Sequence, residues 1–322
     1  MNSSPHQYGF CAPRAQKPGV MKRVQLIVNP ISGKGNGLAV VPAIEARLRR
    51  LGYEPATFVT RRRGDARAFA ASLGPKTSLI LVIGGDGTLN EVINGQTQIP
   101  LTIFPRGTGN AFAADQGIRG NLDFLETLLR TGTVKLFDLG EAGGKKFLNM
   151  ASCGILGQIH RTFWEGRNGP DGILRSLARA FKVLWRRQFR PLTFSGGGGA
   201  PARTAHIVVV GNTRTYAPGV SFTPLASSFD GYLDVCTFPA PSWLDLVRWL
   251  IGVLRGRHLD DPRIGYSRER TVRIGGEGID CHVDGEYVGQ APLTVSVLPR
   301  SVPILVPGSG AASREPALRP AA

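Results

Sequence analysis

The sequence predicts an α/β N-terminal domain with a largely parallel sheet, followed by a C-terminal domain of antiparallel β-structure. Three observations carry this reading. Between residues 22 and 140, short apolar runs alternate with helical periodicity, as in a parallel sheet covered by helices. Three of those runs end in polar, glycine-rich turns. Beyond Phe147 the apolar runs shorten and Gly/Pro turns multiply.

The first strand is expected over 24–28, followed by the turn Asn29-Pro30-Ile31-Ser32-Gly33-Lys34-Gly35-Asn36-Gly37. A helix follows over 40–51. The strand 57–59 comes next, ending at Thr60 just before Arg61-Arg62-Arg63-Gly64-Asp65, and then a helix over 66–73. The aliphatic run 78–83 reads as a buried strand and leads into Gly84-Gly85-Asp86-Gly87-Thr88-Leu89-Asn90-Glu91. From Thr88 the pattern is helical, with Leu89, Val92 and Ile93 on one face. A strand over 101–104 opens onto Pro105-Arg106-Gly107-Thr108-Gly109-Asn110. A helix over 121–130 and the run 134–140 lead out of the domain.

Strands are expected over 205–210, 232–238, 271–274, 279–283 and 293–298, with two helices interrupting them. The run 301–306 is read as a further strand. The segment 195–199, four of its five residues glycine, reads as a hairpin loop. Residues 1–21 are expected to be a disordered extension without a secretory h-region, Met21 being a plausible natural start, and residues 308–322 a disordered tail.

Glycines between a strand and a helix let backbone N–H groups approach a bulky anion, and the helix start adds positive potential. Such turns at the carboxyl ends of neighbouring strands lie on the rim where open α/β sheets bind ligands. Asp86 in such a turn can hold Mg²⁺ or accept a proton from an attacking hydroxyl. A Walker A loop is absent from the chain. Taken singly, each turn also reads as simple strand-to-helix punctuation.

The net charge of +16 suits an anionic partner. Nucleic acid is not expected, because no recognition motif or stacking platform accompanies the charge. The segment 173–187 has Leu174, Leu177, Phe181, Leu184 and Trp185 on one helical face and Arg175, Arg179, Lys182 and Arg186 on another, which suits an anionic membrane surface. A solvated basic face is the alternative. The segment 243–254, apolar nearly all round, is expected to pack in a core. No apolar run approaches the roughly 20 residues needed to span a bilayer. The four cysteines lie far apart, so reduced thiols in a cytoplasmic protein are expected.

These motifs resemble the diacylglycerol kinase catalytic-domain family of lipid kinases, which includes the sphingosine and ceramide kinases. The resemblance rests on Asn29-Pro30-x-Ser32-Gly33, Gly84 to Thr88 with Glu91, and Gly107 to Asn110. It continues through Asn149 and Gly154, Gly211-Asn212, Asp230-Gly231-x-Leu233-Asp234-Val235 and Asp284-Gly285-Glu286. It covers about residues 22 to 306. The Gly-Gly-Asp-Gly-Thr turn is shared with NAD kinases and phosphofructokinases; the first and last motifs select the lipid-kinase branch.

The resemblance implies an NAD kinase-like first domain over 22–140 and a β-sandwich lipid-substrate domain over 141–307. It implies ATP as phosphate donor, held by Asn29, Ser32, Gly33, Thr60, Gly84, Gly85, Asp86, Gly87, Thr88, Leu89, Asn90 and Thr108. Asp86 would orient Mg²⁺–ATP or act as base. Asp284 and Glu286 supply the rival base, with Glu286 favoured, and the other acid holds metal. Period-two alternation around Gly285 would turn both carboxylates to one side, whereas the Asp-Gly pair taken alone reads as a hairpin turn. Asp230 and Asp234 resemble a structural Mg²⁺ site, with a plain hairpin turn as the alternative. The acceptor would be a lipid, diacylglycerol first, reached by a cytoplasmic, peripherally membrane-associated enzyme for which a homodimer is one open assembly, and the strand 301–306 would return to the first domain.

Two positions depart from the family pattern. Ala111-Phe112 stands where an acid and an aromatic are common, and Tyr216-Ala217-Pro218-Gly219 where a glycine pair is common. The rival readings are an NAD kinase-like enzyme of a soluble substrate and a non-catalytic basic protein that binds membranes or nucleotides.

Overall fold

The computed structural model describes residues 22–308, apart from 34–36, 96–97, 166–177, 179–180, 184, 186–188, 198–200 and 218. The extension and the tail, and most of the segment 173–187, lie outside the described residues. The chain folds into two compact units, one running to Leu136 and resuming at Val302, the other spanning Phe137–Ser301.

In the first unit, β1 (Lys22–Val28), β2 (Tyr53–Val59), β3 (Thr77–Gly84) and β4 (Leu101–Pro105) form a parallel sheet in the order β2-β1-β3-β4. The end of β16 (Leu293–Val306) adds a further parallel neighbour, with Ile304 beside Leu101 and the Thr102 hydroxyl donating to the Leu305 carbonyl at 2.9 Å. The expected return of 301–306 is therefore observed, although 293–298 and 301–306 form one continuous strand. Helices α1 (Val41–Arg50) and α5 (Leu122–Thr131) cover one face, where Ile44, Leu48, Leu125 and Leu128 meet Val24, Leu79 and Leu81. Asn121 caps α5 by accepting from the Phe124 amide at 2.8 Å. Helices α2 (Asp65–Ala71), α3 (Asp86–Gly95) and α4 (Ala111–Asp115) complete this unit.

The second unit is a sandwich. One sheet orders β12 (Gly265–Glu269), β11 (Leu233–Phe238), β10 (Ile207–Gly211), β7 (Met150–Gly154), β14 (Asp280–Val283) and β15 (Glu286–Gln290). The other contains the first part of β16 with β13 (Thr271–Gly275), β8 (Leu192–Gly196) and β9 (Arg203–Ala205), and β5 (Thr133–Ala142) pairs with β6 (Lys145–Phe147). Val208, Val210, Val235 and Cys281 face Phe194, Val272, Ile274 and Val295 across the core. Strand β8 pairs antiparallel with β9, with Ser195 and Gly196 inside β8; residues 198 and 199 of the expected hairpin loop lie outside the described residues.

Two expectations are corrected here. Cys153 and Cys281, 128 residues apart, sit opposite each other on β7 and β14 with Cα atoms 4.2 Å apart and form a disulfide. Such proximity is created by strand pairing and leaves no trace in spacing. Helix α6 (Ile155–Glu165) was not foreseen, and α7 (Trp243–Leu254) is not a core helix. Trp249 and Val253 pack on Ile207, Val209 and Phe238, while Leu244, Val247, Leu250, Ile251 and Leu254 remain exposed. One sheet face can cover only one stripe of a helix, so an all-round apolar helix on that face leaves apolar surface outside.

Candidate active site

The glycine-rich turns of the first unit are knitted together at the carboxyl ends of β1, β3 and β4. A Cβ on Gly107 would stand 2.6 Å from the Gly85 Cα, and one on Gly33 would stand 2.7 Å from the Arg106 carbonyl oxygen. Only glycine permits these backbone approaches. Gly107→Ala is therefore expected to lower stability by about 1–3 kcal/mol, as overpacking does, and to abolish nucleotide binding. An unchanged unfolding midpoint in urea would refute this.

Asp86 begins α3 and reaches across to α4. Its carboxylate accepts from the Ala111 amide at 2.8 Å and the Phe112 amide at 3.1 Å. It thus caps a short helix whose own N-cap residue, Asn110, sits in the left-handed region and makes no side-chain cap. Asn110 is used instead within its turn, accepting from the Gly107 amide at 2.8 Å and donating to the Gly107 carbonyl at 2.7 Å. Asn29 donates to the Thr88 hydroxyl at 3.1 Å and accepts from the Ile31 amide at 3.2 Å. Glu91 accepts from the Gly64 amide at 3.1 Å, tying down the turn before α2. Asn29, Ser32, Gly33, Gly85, Asp86, Gly87 and Thr108 keep exposed surface, whereas Thr60, Gly84, Thr88, Leu89 and Asn90 are buried. The amides of Thr88 and Leu89 are spent on the Gly85 carbonyl. The first group thus keeps surface that an anion could reach, and the second holds the turns in place.

In the second unit, Asp284 and Gly285 have φ values of 44° and 79° and form the two-residue turn between β14 and β15. The alternation argument for Asp284 and Glu286 does not apply across such a turn, because its residues are not extended. Asp284 folds back on the chain and accepts from the amides of Leu148 at 3.0 Å, Asn149 at 3.1 Å and Met150 at 2.9 Å. Glu286 forms an ion pair with Lys145 at 3.0 Å. Around the turn, His160 meets the Tyr216 hydroxyl at 2.6 Å, and its ring centroid lies 3.9 Å from that of His282. Burial, with His160 as a like-charged neighbour, pushes the His282 imidazole well below its ordinary value. No spacing in the sequence joins these three side chains.

Asp230 accepts from the Tyr232 amide at 3.0 Å and pairs with Arg268. Asp234 is fully buried and neither of its oxygens has a hydrogen-bond partner; the Tyr266 hydroxyl lies beside it but outside hydrogen-bond geometry. Burial holds its carboxyl above the ordinary range, and Asp230 adds to the effect. Sequence reasoning missed Asp138, also buried, which accepts from the Gly231 and Arg300 amides at 2.7 Å each and so fixes the turn carrying Asp230. Among the described residues no three acidic, His or Cys side chains converge as a metal-holding group. A bare buried carboxylate at Asp234 nevertheless suits an oxygen-seeking cation such as Mg²⁺. At Asp86 both oxygens already accept amide hydrogens.

The first unit carries glycine-lined turns at the carboxyl ends of a parallel sheet, and the second is a sandwich with an acid-bearing turn, the two parts of an α/β kinase. Residues 23–142 match the family described as "Diacylglycerol kinase catalytic domain", and residues 176–306 match the "YegS C-terminal NAD kinase beta sandwich-like domain". The chain is 27% identical over 293 residues to "Diacylglycerol kinase" of Staphylococcus aureus strain MRSA252, covering 89% of this chain and 93% of that one. It is 28% identical over 304 residues to "Diacylglycerol kinase" of Mycobacterium tuberculosis strain H37Rv, covering 89% and 96%. A crystal structure of a diacylglycerol kinase from Bacillus anthracis strain Sterne shares the fold at a TM-score of 0.68 and 22% identity, over 90% of this chain and 98% of that one. Over residues 23–142 the chain is thus similar to the diacylglycerol kinase catalytic domain, and over 89% of its length to diacylglycerol kinases.

Proposed function

We propose that the protein transfers the γ-phosphate of ATP to a hydroxyl of a lipid, with diacylglycerol the first substrate to test. The mutual approach of Gly85 and Gly107 carries this reading, because it leaves backbone amides and the Asn29, Ser32 and Thr108 side chains on one polar rim. Phosphoryl transfer asks mainly for positioning and charge stabilisation, which such a rim supplies. Asp86 holds the α4 end of the rim in register and serves as the acid nearest the phosphates. Mg²⁺, when bound with ATP, would neutralise developing charge on the phosphates.

Between the two acids of the second unit, Glu286 is assigned as proton acceptor. Asp284 would have to give up backbone donors to take a proton, whereas Glu286 is held by a side chain, Lys145, that can swing away. Asp284 then acts as a positioning residue for the turn. Asp234, with Asp230 giving up its Arg268 partner, would hold a structural Mg²⁺. The protein works in the cytoplasm at an anionic membrane surface, where its substrate resides; among the described residues no helix is long and apolar enough to cross a membrane.

A labelled-ATP assay with diacylglycerol in mixed micelles, run beside NAD, tests the reading. Label is expected in the lipid; label in NAD alone would replace the lipid-kinase reading with a soluble-substrate one. The metal assignment has its own test. An acid whose folded pKa is raised is stabilising in its protonated form, so the contribution of Asp234 falls as pH rises from the unfolded value near 4 toward its folded value. Without Mg²⁺, Asp234→Asn is expected to raise the melting temperature by a few degrees at pH 8 and by less at pH 4. Adding Mg²⁺ at pH 8 should stabilise the wild type and leave Asp234→Asn unmoved; equal responses would remove the cation from this site.

A further inference from the structure

We propose that the outward face of α7 is the surface by which this protein inserts into an anionic phospholipid leaflet. It rests on the lipid-kinase reading for its purpose, and it goes beyond that reading by assigning the contact to a helix whose composition alone points to a core.

Along α7, Leu244, Val247, Ile251 and Leu254 recur at the three- and four-residue spacing of one helical face, and all are exposed, at 77%, 54%, 44% and 52%. Leu250, 59% exposed, widens the stripe. At the helix start, Trp243 lies 5.7 Å from Trp185, which lies 5.7 Å from Phe181, and Phe181 and Trp185 are themselves more than half exposed. Single exposed apolar residues are ordinary, but a contiguous stripe extended by three aromatic rings is not. Aromatic rings at the edge of an apolar face suit the boundary between headgroups and acyl chains.

Charge selects the occupant. Trp185 lies in the run 173–190, which carries Arg175, Arg179, Lys182, Arg186, Arg187 and Arg190 and no acidic residue. On α7 itself Arg248 and Arg255 are exposed. Its one acid, Asp245, is taken up by the Ser242 amide and hydroxyl and by Arg263, and Arg263 holds its carboxyl well below the ordinary range. An apolar stripe with exposed Arg248 and Arg255 along it, in a chain of net charge +16, matches a leaflet of anionic headgroups over acyl chains. The opposite face of the helix is anchored independently. Trp249 and Val253 are buried against the sheet, and the Trp249 indole donates to Asp261 at 3.0 Å. The docking residues can therefore be changed without touching what holds the helix.

The test is co-sedimentation of the full chain with phosphatidylcholine vesicles containing or lacking phosphatidylglycerol, for the wild type and for Val247→Asp/Ile251→Asp. Wild-type protein is expected to pellet with the anionic vesicles, less so as salt is raised, and weakly with pure phosphatidylcholine. The double variant should melt as the wild type does and partition roughly a hundredfold more weakly, the effect of withholding two aliphatic side chains from the interface. Equal partition of the two proteins overturns the inference. So does a wild-type dimer in solution that stays off vesicles and dissociates in the double variant, since the face would then belong to a second copy. Phosphorylation of a water-soluble short-chain diacylglycerol separates the two readings. Turnover of that substrate without vesicle binding sinks the docking face and leaves the kinase, whereas vesicle binding lost in the double variant, with no turnover of any lipid, supports the docking face and sinks the kinase.

Discussion

Asp284→Ala is expected to destabilise the second unit by about 4 kcal/mol, the scale of breaking a buried network around a charged group. The carboxylate gathers three amides, from residues no more than 5% exposed, that have little access to water once it is gone. Alanine also tolerates the left-handed backbone at this position poorly, which adds on the order of 1 kcal/mol. Two companion variants divide the effect. Asp284→Gly removes the carboxylate but accepts the backbone, so it should be less destabilised than the alanine form. Asp284→Asn keeps one acceptor oxygen and tolerance of that backbone, and should lose roughly half as much. Urea unfolding measures all three. An alanine variant within about 1 kcal/mol of wild type would show that the amides find other partners, and the assignment of Asp284 as a clamp would fail.

Asp86→Asn should have the largest effect on turnover, a loss of roughly 10²- to 10⁴-fold, as for removal of a catalytic acid-base or charge-stabilising group. Its cost in stability should be small, about 1 kcal/mol, because asparagine still offers one oxygen to the two amides at the start of α4. The contrast between the two readouts is the test. A structural cap alone would move the melting temperature and leave turnover within a few-fold. A kinase in which Asp86 serves the phosphates loses turnover while the melting curve barely shifts.

Much of the first unit was legible because its signals are local. Aliphatic runs such as 78–83 are buried on both faces, and strand-to-helix turns at Asp86 and Asn110 are marked by glycines that backbone geometry demands. The strand over 301–306 is likewise marked by a local apolar run, whereas its return to the first unit was implied only by the family resemblance. The second unit was less legible. Its short strands depend on partners far along the chain, so β12 and β15 escaped notice, as did the disulfide joining β7 to β14. For Asp284 and Glu286, period-two alternation about Gly285 stood beside a hairpin turn as the alternative. The Asp-Gly pair closes a two-residue turn, as positive φ at both positions shows.

By itself, the sequence determined the glycine-rich strand-to-helix turns and set Asp86, Asp284 and Glu286 in or beside turns, because the residue types that create such turns lie side by side in the chain. The tertiary structure alone decided how those acids are held: Asp86 against α4, Asp284 against three amides, Asp234 buried without a partner. It also decided which stripe of α7 meets the sheet and which faces outward. Those outcomes depend on long-range packing and on which polar groups lose water. Neither is a property of neighbouring residues.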